Sequence, residues 1–130
     1  MRGPGFAFEA PEAWTVSTPR DSVVARRGSA LVSVTRFPLL KAYDPARFEE
    51  VAKELDRVAA QLAKQAGGSL DVKETTTVAG RRIRAYRYDE KRIGFVLDGR
   101  REYQLFCQTP SGHGDPDDAC SLLFDSFSVT

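Results

Sequence analysis

The sequence predicts an α+β domain: an antiparallel sheet of about six to eight strands, covered by one long mid-chain helix and a short C-terminal helix. Three observations lead there. Only one segment carries helical periodicity over several turns. The segments around it are short, rich in β-branched and aromatic residues, and parted by turn dipeptides. The strand-like runs after the helix follow one another too closely for crossover helices, which excludes the parallel sheet of a nucleotide-binding fold.

In chain order, Phe6-Ala7-Phe8-Glu9-Ala10 alternates large apolar residues until Pro11 breaks it, and Trp14-Thr15-Val16 resumes an extended reading. Ser22 to Arg26 and Ala30 to Phe37 are β-branched runs joined by Arg27-Gly28-Ser29, where Gly28 supplies the positive φ of a tight hairpin. Asp44 caps the long helix, Pro45 fits its first position, and Gly67-Gly68 ends it. Phe48, Val51, Ala52, Leu55, Val58, Ala59, Leu62 and Ala66 make its apolar stripe, which must lie on a sheet. Glu49, Lys53, Glu54, Arg57, Gln61 and Lys64 form the solvated side, with Glu49 and Lys53 spaced as an i,i+4 pair.

Asp71 to Val78, Arg82 to Tyr88, Ile93 to Leu97 and Glu102 to Gln108 then read as a meander, connected by Ala79-Gly80, Asp89-Glu90-Lys91 and Asp98-Gly99. After a polar loop, Asp115-Pro116 starts a short helix whose Ala119, Cys120, Leu123, Phe124 and Phe127 face inward.

A length of 130 residues suits one core, so residues 1–130 are read as a single domain and as a monomer. Hydrophobic residues at 42% and charged residues at 28% are globular usage, far from a disordered composition. Nineteen basic against eighteen acidic side chains leave a formal charge of +1. No global field recruits nucleic acid or an anionic membrane, and any electrostatic binding must come from a local patch. No apolar run approaches the roughly 20 residues that cross a bilayer. Met1-Arg2-Gly3, just before the first strand, fits a chain from which a signal peptide has been cut.

Cys107 and Cys120 permit one internal pairing, and a strand end followed by a helix can bring them together. A disulfide there closes a loop of about 14 residues and points to export; two buried free thiols in a cytosolic protein are the alternative.

The residues for catalysis are sparse. The only histidine, His113, lies in Ser111-Gly112-His113-Gly114 and reads as a solvent-exposed loop residue. The sequence has no Gly-x-Ser-x-Gly elbow, no His-Glu-x-x-His, no phosphate loop and no zinc-spaced cysteines, so neither an enzyme nor a metal or other cofactor is expected. Asp115, Asp117 and Asp118 read as helix-capping carboxylates rather than a calcium loop.

Arginine is the uneven feature. Arg81, Arg82, Arg84, Arg87, Arg92, Arg100 and Arg101 all fall in the meander, interleaved with Tyr86, Tyr88 and Tyr103. Alternation puts Arg82, Arg84, Tyr86 and Tyr88 on one strand face, with Ile83 and Ala85 on the other. Arginine and tyrosine favour interfaces, so these four are the candidate binding residues. A plain solvated sheet face is the main competing reading, and single-stranded nucleic acid, which the same residue mixture can bind, is the remaining one. Trp14, Phe6, Phe8, Phe37, Phe95, Phe106, Phe124 and Phe127 sit in periodic apolar segments and read as core.

The opening Phe6-x-Phe8-x-x-Pro11-x-x-Trp14, the helix entered through Tyr43-x-Pro45, the Gly80-Arg81-Arg82 step into a tyrosine-bearing strand, and the final helix running into Ser126-Phe127 form one pattern. Together they resemble the PsbP-like superfamily, which includes the photosystem II extrinsic protein, Ran-binding Mog proteins and small bacterial lipoproteins. The resemblance implies an antiparallel sheet sandwiched by helices, used for binding or assembly rather than catalysis, and often exported or lipid-anchored. It carries over no functional residue, because the shared positions build the fold.

The sequence is thus read as a non-enzymatic extracytoplasmic binding domain, in keeping with the soluble part of a lipoprotein, that meets a protein or cell-envelope component. Membrane contact is expected only through a lipid anchor outside this chain. The alternative is a cytoplasmic adaptor or chaperone holding a hydrophobic segment of a partner in a groove.

Overall fold

A computed structural model describes residues 1–109 and 116–130, though not the side chains of 116–118. His113 and Asp115, and the side chains of Asp117 and Asp118, therefore lie outside the described residues. In chain order the elements are β1 (Arg2–Gly3), β2 (Phe6–Ala7), β3 (Thr15–Ser17), β4 (Ser22–Arg27), β5 (Ala30–Pro38), a 3-10 turn (Pro45–Arg47) leading into α1 (Phe48–Gln65), β6 (Val72–Val78), β7 (Arg81–Tyr88), β8 (Lys91–Asp98), β9 (Arg101–Gln108), α2 (Pro116–Ser126) and β10 (Ser128–Val129).

The class is α+β, as the sequence predicts. Seven strands form an antiparallel sheet in the order β3-β4-β5-β9-β8-β7-β6, and three short ones form a second sheet, β1-β2-β10. The meander β6 to β9 is the run of hairpins that the turn dipeptides foretell. Ala79 and Gly80 both have positive φ, 52° and 74°, the backbone of a type I′ turn. The closing strand β10 has no counterpart in the sequence reading. Its Val129 pairs with Phe6, bringing the two ends of the chain together.

Helix α1 covers one face of the large sheet. Asp44 accepts a hydrogen bond from the Ala46 amide at 3.0 Å, and Pro45 opens the first turn. At the other end the Gly68 amide donates to the Ala63 carbonyl (2.9 Å) and the Gly67 amide to that of Lys64 (3.0 Å), with Gly67 at φ 83°. This is a Schellman ending. The buried stripe is Phe48, Ala52, Leu55, Ala59 and Ala63. It is narrower than the spacing alone implies: Val58 and Ala66, expected inside, are exposed on its shoulder. Among the described residues the ion pairs on the solvent side are Arg47–Glu50 and Glu54–Arg57, not Glu49–Lys53.

Helix α2 packs on the opposite face, against β5 and β9. Leu123, Phe124 and Phe127 meet Phe6, Phe8, Tyr103 and Leu105 there in the larger core. Close approach is possible because β8 offers Gly94, where an added Cβ would lie 2.7 Å from the Phe124 ring. A second core lies under α1 and joins Leu55, Ala59 and Ala63 to Tyr86, Tyr88, Ile93 and Phe95. The layers are helix, sheet, helix.

Cys107 on β9 and Cys120 on α2 meet at disulfide distance, their Cα atoms 5.6 Å apart. The pairing ties α2 to the central strand of the sheet.

Candidate binding site

Strand β7 alternates as the sequence requires, so Arg82, Arg84, Tyr86 and Tyr88 do share a face. That face is the one α1 covers, so the four do not form one open surface as expected: both tyrosines are buried, Arg84 is partly buried, and Arg82 alone stays exposed. Tyr86 is 0% exposed and Tyr88 is 5% exposed. Arg84 grips Asp56 of α1 through both carboxylate oxygens, Nε to Oδ1 at 3.0 Å and Nη2 to Oδ2 at 3.1 Å. Tyr86 donates its hydroxyl to the same carboxylate, and Arg84 adds a third bond to Thr75 Oγ1 at 3.1 Å. Burial first, then the Asp56 hydrogen bond, pushes the Tyr86 hydroxyl well above the usual tyrosine range. Arg82 lies over the Phe48 ring, its Cζ 4.1 Å from the centroid. These side chains fasten the helix to the sheet.

Asp56 was absent from the sequence reading, but a signal for it exists. It stands four residues after Ala52 and three before Ala59, on the buried stripe rather than on the charged side. An acid there needs a basic partner on the strand below.

The other meander arginines divide similarly. Arg81 pairs with Asp98 at 3.3 Å. Arg92 lies on the other face, its Cζ 4.0 Å from the Phe124 ring centroid and its Nη2 3.2 Å from Glu74. Desolvation there lowers its pKa. Arg100 and Arg101 have no ion-pair partner among the described residues.

Those two line a pocket of about 370 Å³ at the end of the sheet, together with Arg36 and Asp21. Phe37, Pro38 and Leu39 complete its wall. Strand register builds it: Pro38 pairs with Arg101 and Arg36 with Tyr103, so β5 and β9 deliver their basic residues to one end. The chain leaving β5 is then laid over the β8–β9 turn. The Leu39 amide donates to the Arg100 carbonyl at 2.8 Å, and the Tyr43 amide to that of Gly99 at 2.7 Å. Asp21, at φ 59°, turns the chain into β4 and accepts from Arg36 Nη2 at 3.0 Å, while Arg20 Nε stands 3.9 Å from its other oxygen. The site therefore carries more guanidinium than carboxylate. It suits an oxyanion.

Phe37, expected in the core, is 38% exposed at this pocket, because α1 sits over β7 rather than over the end of β5. Beside it on the sheet, Glu102 is half-buried in register with Phe37 and Leu97. Desolvation raises its pKa. A folded-state value above the unfolded one means the ionised carboxylate destabilises the fold at neutral pH, and the effect vanishes below the unfolded value. Glu102→Gln is expected to raise the urea midpoint at pH 7, with the gain gone by about pH 4. Equal midpoints for the two proteins at pH 7 would contradict this.

No family model and no curated protein matches the chain. A 1.50 Å crystal structure from Bacteroides thetaiotaomicron VPI-5482 is similar over 97% of this chain, with a TM-score of 0.51 and 11% sequence identity. The chain spans 45% of that protein's length. At this identity the likeness is one of fold.

Proposed function

We propose that the chain is a non-enzymatic binding domain of the PsbP-like type, working outside the cytoplasm, and that its contact site is the arginine pocket rather than the β7 face. The presence of Arg36, Arg100 and Arg101 on one pocket whose single carboxylate, Asp21, is bonded by Arg36 and not by the other two carries this reading, since positive charge in excess of local need is what an anionic partner recognises. The Cys107–Cys120 approach supports the compartment, because reducing conditions in the cytosol do not maintain structural disulfides. Helices on both faces of an antiparallel sheet fit the family that the sequence resembles. A lipid-anchored envelope protein is the setting that joins these observations.

Thiol trapping tests the compartment. Protein taken from its native cells, alkylated before any reductant, is expected to keep its unmodified mass and to gain adducts at both cysteines only after reduction. Alkylation of both thiols in the first step would overturn the extracytoplasmic reading and favour the cytoplasmic adaptor.

A further inference from the structure

We propose that the pocket and the loop above it dock on an anionic lipid bilayer, with the guanidinium groups taking lipid phosphate while Leu40 enters the interface. The proposal rests on the reading of the pocket as the contact site, and it names the partner.

Charge is the first argument. The carboxylate of Asp21 is already shared by Arg36 and Arg20, while Arg100 and Arg101 have no ion-pair partner among the described residues. Lys41, exposed on the adjoining loop, adds a further cation. Clustered Lys and Arg side chains are drawn to anionic headgroups, and guanidinium suits phosphate in particular.

Leu40 is the second argument and separates a bilayer from a small ligand. It is 98% exposed, yet it does not line the pocket. An ion confined to the pocket leaves Leu40 in water. A surface that reaches past the rim buries it. A single exposed leucine is ordinary on a protein surface; one that directly follows the pocket-wall residues Phe37, Pro38 and Leu39 and precedes the exposed Lys41 is the pairing of apolar tip and basic collar that interfacial binding uses. The loop is also fixed in advance by the bonds from Leu39 to Arg100 and from Tyr43 to Gly99, so little ordering is needed on docking.

The test is co-sedimentation of the full chain with vesicles of phosphatidylcholine alone, or of phosphatidylcholine and phosphatidylglycerol in equal parts. Binding is expected only to the second, weakening as salt shortens the screening length from about 30 Å at 0.01 M to about 8 Å at 0.15 M. Arg100→Ala with Arg101→Ala should lower partitioning about thirty-fold, or five-fold for each cation withdrawn. Leu40→Ala should lower it about ten-fold. Unchanged melting temperatures establish that the variants fold.

Inorganic phosphate at matched ionic strength distinguishes a free oxyanion from a headgroup. Displacement from vesicles no greater than by chloride supports the lipid. Phosphate binding that is indifferent to Leu40→Ala, or vesicle binding that survives the arginine changes, overturns the proposal. Paired thiols without vesicle binding would end this inference and leave the extracytoplasmic reading standing; free thiols with vesicle binding would do the reverse.

Discussion

Replacing Asp56 with alanine is expected to lower stability by about 2–3 kcal/mol. The carboxylate accepts both arms of Arg84 and the Tyr86 hydroxyl, so its loss strands two donors at once beneath α1. The ring of Tyr86 stays buried whatever happens to its hydroxyl, and that donor then has no carboxylate to meet. Arg84 is the less costly of the two because part of its side chain reaches water, as a relative exposure of 17% records. Asp56→Asn, which keeps an acceptor and removes the charge, should recover part of the loss. Urea denaturation of the single variants and of Asp56→Ala combined with Arg84→Ala reads the coupling, expected at about 1–3 kcal/mol. Additivity of the two changes would mean that the network does not hold the helix down.

The second large effect is reduction of Cys107–Cys120. The cysteines are 13 residues apart in sequence, and chain entropy assigns such a closure about 3 kcal/mol. Because the link ties α2 to β9, its release also loosens the core that holds Leu123, Phe124 and Phe127. In a domain of this size the loss corresponds to a fall in melting temperature of roughly 10 °C. Calorimetry with and without reductant measures it. An unchanged transition, with release of both thiols verified, would contradict the account.

Much of this architecture is legible in the amino-acid sequence. The helix announces itself through Asp44, Pro45 and Gly67, each of which does in space what its chemistry predicts. The meander follows from short turns between β-branched runs, and the cysteine pairing from one strand end and one helix. Alternation also placed Arg82, Arg84, Tyr86 and Tyr88 correctly on one face. What it does not contain is which layer covers that face. Arginine and tyrosine are commonly exposed, and only the acid at position 56 within an apolar stripe hints that here they are needed inside.

The pocket was less legible for a different reason. Asp21 and Arg36 meet across the local β4–β5 hairpin, but Arg100 and Arg101 join them only because β5 pairs with β9 across the middle of the sheet, skipping the helix and three strands between them. Strand order of that kind is a property of the whole fold. Phe37 was misjudged on the same account: its periodicity is that of a core residue, but the helix meant to cover it lies over β7.

The central claim is that binding resides in the arginine pocket, and residue-resolved NMR tests it most directly. Titration of the isotope-labelled chain with short-chain phosphatidylglycerol, kept below its micelle concentration, is predicted to shift the amides of Leu39, Leu40, Arg100 and Arg101 and to leave those of β7 unmoved. Shifts centred on Arg82, Arg84, Tyr86 and Tyr88, or none at the pocket, would contradict it.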